Sequence, residues 1–207
     1  MSAGTTLLTI AAILVYCGLM QRILDRMYLT DRQALLIIGT MLIGTLLPNL
    51  PFGVVSINLG GAVIPLGICV FLFCKADESR ERIRAVIGTL ITAIGILLLS
   101  TLLPAEPEGL LVDPMWLYGL CGGVLAWLIG RSRRNAFICG IAGVLVADLI
   151  TGIYALLEGY SVQLVLGGGG IADAAVISGV VSVLLCELLG ETIERIIRHY
   201  QKGMTHT

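Results

Sequence analysis

Long apolar runs that recur along the chain restrict its fold more than any other feature of the sequence. About 20 helical residues cross the roughly 30 Å hydrocarbon core of a bilayer. Of the 207 residues 57% are hydrophobic and 13% are charged, whereas about 25% are charged in a soluble domain. The sequence therefore predicts an all-α polytopic membrane protein with seven transmembrane helices, at about residues 4–21, 34–51, 59–74, 84–103, 115–130, 136–157 and 171–190.

The basic residues predict how these helices are oriented. All 13 lysines and arginines lie between spans one and two, three and four, and five and six, or after span seven. The intervening connections, 52–58, 104–114 and 158–170, contain none. Cytoplasmic loops are enriched in Lys and Arg, so we expect the N-terminus outside and a cytoplasmic tail over 191–207. Since no long polar linker divides the chain, we expect one transmembrane domain, 1–207, in a prokaryotic inner or plasma membrane.

Cysteine and histidine spacing gives no sign of a metal or redox site. The six cysteines lie in or at the ends of apolar runs, and the two histidines, His199 and His206, lie in the polar tail. Neither zinc-ligand spacing nor a CxxC pair is present, and no basic, aromatic-interleaved patch indicates nucleic acid. We expect no metal, no cofactor and no nucleic acid, and the lipid bilayer is the partner that the sequence predicts. Nothing in the sequence predicts the oligomeric state.

One acidic residue lies near the middle of the sixth span. Asp148 is twelve residues after Ala136 and nine before Leu157, which is near mid-bilayer if the span is one straight helix. No lysine or arginine lies within a helical turn, and burial without a positive partner disfavours the charged form. Such acids are typical of proton relays, ion paths and catalytic groups. The alternative is a neutral aspartate that hydrogen bonds to a neighbouring helix.

A second aspartate, Asp173, follows four consecutive glycines, Gly167 to Gly170. Glycine costs a helix about 1 kcal/mol against alanine, and it permits positive φ and close backbone approach. We therefore predict a glycine-rich irregular segment before the seventh helix, of the kind that lines a cavity or is packed in protein. The alternative for Asp173 is an acid that stabilises the positive end of the helix dipole.

Two acids on consecutive spans can meet in one pocket. Neighbouring carboxyl groups share a proton and can activate water, which makes Asp148 and Asp173 candidate catalytic residues. The same pair can instead bind and release H⁺ or Na⁺. Broken helices expose backbone that binds ions and substrates, so Asn58 and Gly168, Gly169 and Gly170 are candidate substrate- or ion-binding residues. A tight outer turn is the alternative for Asn58.

Two further predictions concern packing. Glu187 lies about 21 Å beyond Asp173 along a helix, near the cytoplasmic interface, where we expect it to pair with arginines. Small residues within the spans suit close helix packing; these include Gly39, Gly44, Gly88, Gly95, Gly122, Gly123, Gly140 and Gly143.

Three segments carry a resemblance to a known family. NLGGAVIP (58–65), GIAGVLVADL (140–149) and GGGGIADAAVISGVVSVLL (167–185) are similar to the prokaryotic integral membrane family catalogued as domain of unknown function 1614. The likeness runs from about the second helix to the seventh. It implies the membrane class and no particular reaction.

A looser resemblance is to intramembrane aspartyl proteases of the presenilin and signal peptide peptidase type. Those proteins carry catalytic aspartates in a Tyr-Asp pair on the sixth span and a Gly-x-Gly-Asp motif on the seventh. In this chain Ala147 replaces the tyrosine, Ile171 and Ala172 separate the glycines from Asp173, and no Pro-Ala-Leu segment follows.

Three functions follow, in the order in which the sequence favours them. The first is an intramembrane aspartyl protease that cleaves transmembrane peptides with Asp148 and Asp173. The second is a proton- or cation-coupled small-solute transporter, with breaks near Asn58 and Gly168 as gates. The third is a non-catalytic membrane scaffold whose arginine clusters contact anionic lipid.

Overall fold

The computed structural model describes residues 3–27, 29–52, 55–76, 78–103, 113–158, 164–167 and 174–189. Its helices are α1 (Ala3–Tyr16), α2 (Gln21–Arg26), α3 (Asp31–Leu46), α4 (Ile64–Cys74), α5 (Ser79–Leu102), α6 (Pro114–Gly130), α7 (Arg133–Leu157) and α8 (Ala174–Leu189). Three short strands are β1 (Leu50–Phe52), β2 (Val55–Ile57) and β3 (Leu164–Leu166), and a π-helical turn, Leu59–Val63, leads into α4.

A helix covers most of each predicted span. By length and composition, α5 and α7 can cross a membrane, with mean hydropathies of 2.3 and 2.2. The shorter helices Thr5–Tyr16, Leu59–Cys74, Pro114–Gly130 and Ala174–Leu189 are also apolar. The number of spans and their orientation stay predictions. The irregular segment expected before the last helix, residues 168–173, and the tail over 191–207 lie outside the described residues.

Local sequence explains where several helices begin. At the start of α3 the Thr30 hydroxyl accepts a hydrogen bond from the Gln33 backbone N–H, and the Gln33 side chain accepts one from the Thr30 N–H. This reciprocal pair satisfies two N–H groups that a helix leaves without partners. Asp113 caps α6 ahead of a proline at the first position, and Ser132 caps α7. These caps set the ends of the helices that form the site described below.

Three strands form a small sheet at one end of the bundle, a feature that the all-α prediction missed. Their order is β1-β2-β3, with β1 antiparallel to β2 and β2 parallel to β3. Val55 pairs with Leu164 and Ile57 with Leu166. Strands of three residues are too short to show a clear alternation of side chains. Pro51 lies in the edge strand, where its missing N–H is tolerated.

The central helix is α7, which packs against α4, α5 and α6. It also contacts α8, because the Ser178 hydroxyl donates to the Gly140 carbonyl oxygen at 3.0 Å. A Cβ on Gly143 would lie 2.7 Å from Thr92 Cβ, and one on Gly122 would lie 2.7 Å from Ser178 Oγ. The predicted close packing at glycines is therefore confirmed at these positions, whereas it is wrong at Gly39, where nothing lies within 4 Å of an added Cβ.

One end of the bundle holds a cluster of charged and polar side chains, which we call the basic end. Arg133 forms an ion pair with Glu187, and Arg134 pairs with Glu81 at 3.5 Å. The predicted pairing of Glu187 with arginines is thus confirmed. The Asn135 amide, almost fully buried, donates to the Glu81 backbone oxygen at 3.2 Å. These bonds connect the start of α5, the start of α7 and the end of α8; Lys75 and Ser132 complete the basic end.

Candidate functional site

Asp148 lies inside one uninterrupted helix, α7, as the sequence predicted. It is nine residues before Leu157, or about 13 Å along the axis from the α7 end that is remote from the basic end. The side chain is partly buried. Its Oδ2 atom is fully buried and has no hydrogen-bond partner in the part of the chain that the structure describes. Such an atom needs an explanation, because buried polar atoms nearly always have partners.

A cavity of about 390 Å³ lies beside Asp148, within the range of about 300–1,000 Å³ typical of small-molecule sites. It forms where α5 ends and α6 begins, next to the second half of α7 and the first described residue of α8. No lysine or arginine is among the described residues that line it. Its polar lining consists of Ser100, Asp113, Tyr118, Asp148 and Thr151.

Apolar side chains make up the rest of the cavity wall. Six residues contribute: Ile96, Leu97, Met115, Val144, Ala147 and Ala174. Four of them are buried in the bundle and form what we call the cavity floor: Ile96, Val144, Ala147 and Ala174. Apolar surroundings make an unpaired charge costly. The floor therefore favours a neutral state of the Asp148 site, which either a bound proton or a bound cation provides.

The polar groups of the cavity offer mostly acceptor atoms to a ligand. The Ser100 hydroxyl donates its proton to the Leu97 carbonyl at 2.7 Å, and the Thr151 hydroxyl donates to the Ala147 carbonyl at 2.9 Å. Each hydroxyl oxygen keeps lone pairs for a ligand. Together with two carboxyl groups, these oxygens suit a ligand that carries N–H or O–H donors.

Asp113 has a role that the sequence did not reveal. The Asp113 Oδ1 accepts from the Met115 N–H at 2.9 Å and so caps α6, while the exposed side chain also lines the cavity. A negative charge here can attract a cation towards Asp148.

Asn58 lies at the junction of β2 and the π-helical turn, and it is 7% exposed. Its Oδ1 accepts from the Gly61 N–H at 2.8 Å, and its Nδ2 donates to Asn49 Oδ1 at 2.9 Å. Its backbone N–H donates to the Leu166 oxygen at 2.9 Å. The side chain therefore connects Asn49 with the π-helical turn, and Asn58 is not among the residues that line the Asp148 cavity. Its role as a binding residue stays a prediction.

Asp173, Gly168, Gly169 and Gly170 lie outside the described residues. Gly167 and Ala174 are the described residues on either side of this segment. Gly167 has φ +69°, and a Cβ there would lie 2.5 Å from the Ala62 nitrogen, so only glycine suits this contact. The pairing of Asp148 with Asp173 stays a prediction.

No group of three or more His, Cys, Asp or Glu side chains in the described ranges is placed to hold a metal ion. One cavity residue that the sequence analysis missed had a local signal, since Thr151 lies three positions after Asp148 and therefore shares its helix face. Ser100 and Tyr118 come from other helices, so no spacing could connect them with Asp148.

The outward faces of the helices are apolar. On α5 the exposed side chains include Ile83, Val86, Ile87, Leu90, Ile94 and Leu98. An apolar exterior around a tightly packed interior with a buried carboxyl group defines a helical integral membrane protein.

The chain belongs to the YphA-like integral membrane protein family, whose model matches residues 27–206. No curated protein and no solved structure matches the chain. The family match confirms the predicted membrane class and the lipid bilayer as the environment of the protein. The resemblances to the domain of unknown function 1614 and to the aspartyl proteases stay predictions.

Proposed function

We propose that the protein is a proton-coupled carrier that exchanges H⁺ for a small organic cation at Asp148. The observation that carries this proposal is the Asp148 Oδ2 atom, which is buried without a described partner. Asp148 lines a largely apolar cavity that no described lysine or arginine lines. A carboxyl group in such surroundings is stabilised by a proton or by a cation. Since one excludes the other, arrival of the cation releases the proton.

The ligand class follows from the cavity lining. Acceptor oxygens of Ser100, Asp113, Asp148 and Thr151 suit a cation with several N–H donors, such as an amine or a guanidine. The apolar walls suit a hydrocarbon or aromatic body attached to it. We therefore use benzylguanidinium as the probe, because it stays charged at neutral pH, and benzylurea as its neutral counterpart of similar shape.

Replacing Asp148 by asparagine should abolish this exchange. In detergent solution, titration calorimetry in buffers of different ionisation enthalpy should show that wild-type protein binds benzylguanidinium and releases about one proton. Asp148→Asn should bind at least about tenfold more weakly, since it loses a charge-assisted hydrogen bond, and should release no proton.

Glu78→Gln is the control, because this acid is exposed at the start of α5 and is not among the residues that line the cavity. It should retain proton release and change affinity little. Benzylurea should not bind with proton release. Equal binding by wild-type protein and Asp148→Asn, or no binding of benzylguanidinium by either, would contradict the proposal.

The intramembrane aspartyl protease is the second candidate. Its supporting observation is that Ala174, which follows Asp173 in the sequence, lines the same cavity as Asp148. The sequence favoured the protease over the carrier. We rank the protease second because the cavity volume is that of a small-molecule site. Asn58, Gly168, Gly169 and Gly170 are candidate gate or binding residues in either case.

A cleavage assay separates the two functions. Purified protein would be incubated with a fluorogenic transmembrane peptide in detergent. For a protease, wild-type protein cleaves the peptide, and Asp148→Asn and Asp173→Asn both abolish cleavage. For the carrier, no preparation cleaves it. Cleavage that persists in both variants would exclude the aspartate pair as its cause.

A further inference from the structure

We infer that protons reach Asp148 along the contact between α5 and α7, with the Thr92 hydroxyl as the intermediate group between the cavity and the basic end. This inference rests on the proposed proton exchange at Asp148. It assigns a function to a residue that neither binds the cation nor lines the cavity.

Thr92 differs from three other hydroxyl residues of its helix. Thr89 donates to the Ala85 oxygen at 2.8 Å, Ser100 to the Leu97 oxygen and Thr101 to the Leu98 oxygen. Thr92 is 0% exposed, yet its Oγ1 has no partner among the described residues. A buried hydroxyl without a partner is destabilising, and ordered water commonly satisfies such a group.

The position of Thr92 places it directly beyond the cavity floor. It lies one helical turn before Ile96 on α5, and its methyl group packs against Gly143 on α7, the residue before Val144. From Gly143 to Asp148 is about 7.5 Å along the helix axis, a distance that one or two hydrogen-bonded waters span.

Polar groups continue from Thr92 to the basic end. Thr89 is one turn further along α5, and the Cys139 thiol opposite it donates to the Ala85 oxygen at 3.5 Å. The Asn135 amide then donates to the Glu81 backbone, and the Glu81 carboxylate accepts from Ser132 at 3.2 Å. The contact between α5 and α7 therefore offers a polar group at nearly every turn.

A hydroxyl group both donates and accepts hydrogen bonds, so it can pass a proton on without holding a charge. The path requires water between the hydroxyl groups, and in each transfer one O–H bond breaks as the next forms; the Asn135 amide and the Cys139 thiol lie beside the path and transfer no proton. A proton taken from water at the basic end arrives on the Asp148 carboxylate as the cation leaves, and the reverse sequence returns it. No other reactant is required.

The test uses the full chain in liposomes loaded with a pH-sensitive dye. Benzylguanidinium is added outside, and the initial rate of the internal pH change is measured. Thr92→Val, which keeps the shape and removes the hydroxyl, should lower this rate by about tenfold or more. Thr92→Ser should restore it to within about twofold of wild type. The control Thr101→Val, at an exposed position on the same helix, should leave the rate unchanged.

A stability measurement distinguishes this role from a structural one. Because the Thr92 hydroxyl has no described protein partner, Thr92→Val should melt no lower than wild type, while its exchange rate falls. Thr89→Val is a second variant on the same path, which should also slow exchange, in case Thr92→Val does not fold.

The outcomes separate the two proposals. Loss of exchange in Asp148→Asn with a wild-type rate in Thr92→Val and Thr89→Val would overturn the path and leave the carrier standing. No exchange by wild-type protein, or a wild-type rate in Asp148→Asn, would overturn the carrier and the path together.

Discussion

Replacing Gly60 by alanine should lower the melting temperature of the detergent-solubilised protein by about 10 °C. A Cβ at this position would lie 2.6 Å from the Gly44 carbonyl carbon, and closer still to the Thr45 nitrogen and the Met41 oxygen. All three are backbone atoms of α3, so no side-chain rotation can relieve the overlap. Separating α3 from the π-helical turn should destabilise the fold by about 3 kcal/mol.

Two glycines of the same region provide the controls. Nothing lies within 4 Å of a Cβ placed on Gly39 or on Gly67, and both residues are inside helices. Gly39→Ala and Gly67→Ala should melt at or above the wild-type temperature, since alanine favours a helix by about 1 kcal/mol over glycine. If Gly60→Ala has the same melting temperature as these two controls, the backbone contact between α3 and the π-helical turn is absent from the protein in solution.

Replacing Glu187 by glutamine should lower the free energy of unfolding by about 2 kcal/mol or more. The Arg133 and Glu187 side chains are only 13% and 14% exposed, so the variant leaves the arginine largely shielded from water without its counter-charge. Since this pair joins α8 to α7 at the basic end, α8 should also be cut faster by protease.

The double variant Arg133→Gln with Glu187→Gln tests whether the two residues act as a pair. It should be less destabilised than the sum of the single variants, because each single variant already loses the attraction between the two side chains, which the double variant loses only once. Glu78→Gln, at an exposed position at the start of α5, should change stability little. Additive effects of the two substitutions would show that the ion pair contributes nothing of its own.

The sequence predicted the helices and the main acidic residue because each gives a local signal. A carboxyl group within an apolar run, such as Asp148, is identifiable without a structure. The cavity around it was not predictable. Tyr118 comes from α6, which is apolar on all sides, so no polar face indicates which residues turn inward. Thr92 looks like Thr89 and Thr101 in the sequence, and only the packing shows that its hydroxyl lacks a partner in the described part of the chain.

The parallel pairing of β2 with β3 also determines when the fold can be completed. The two strands are separated by more than one hundred residues, and a ribosome needs on the order of ten seconds to make that length at about 5–20 residues per second. Throughout that interval the nascent β2 presents one unpaired edge. Closure of this end of the bundle is therefore a late step of biosynthesis, and a chain that stops before Leu164 has no internal partner for that edge.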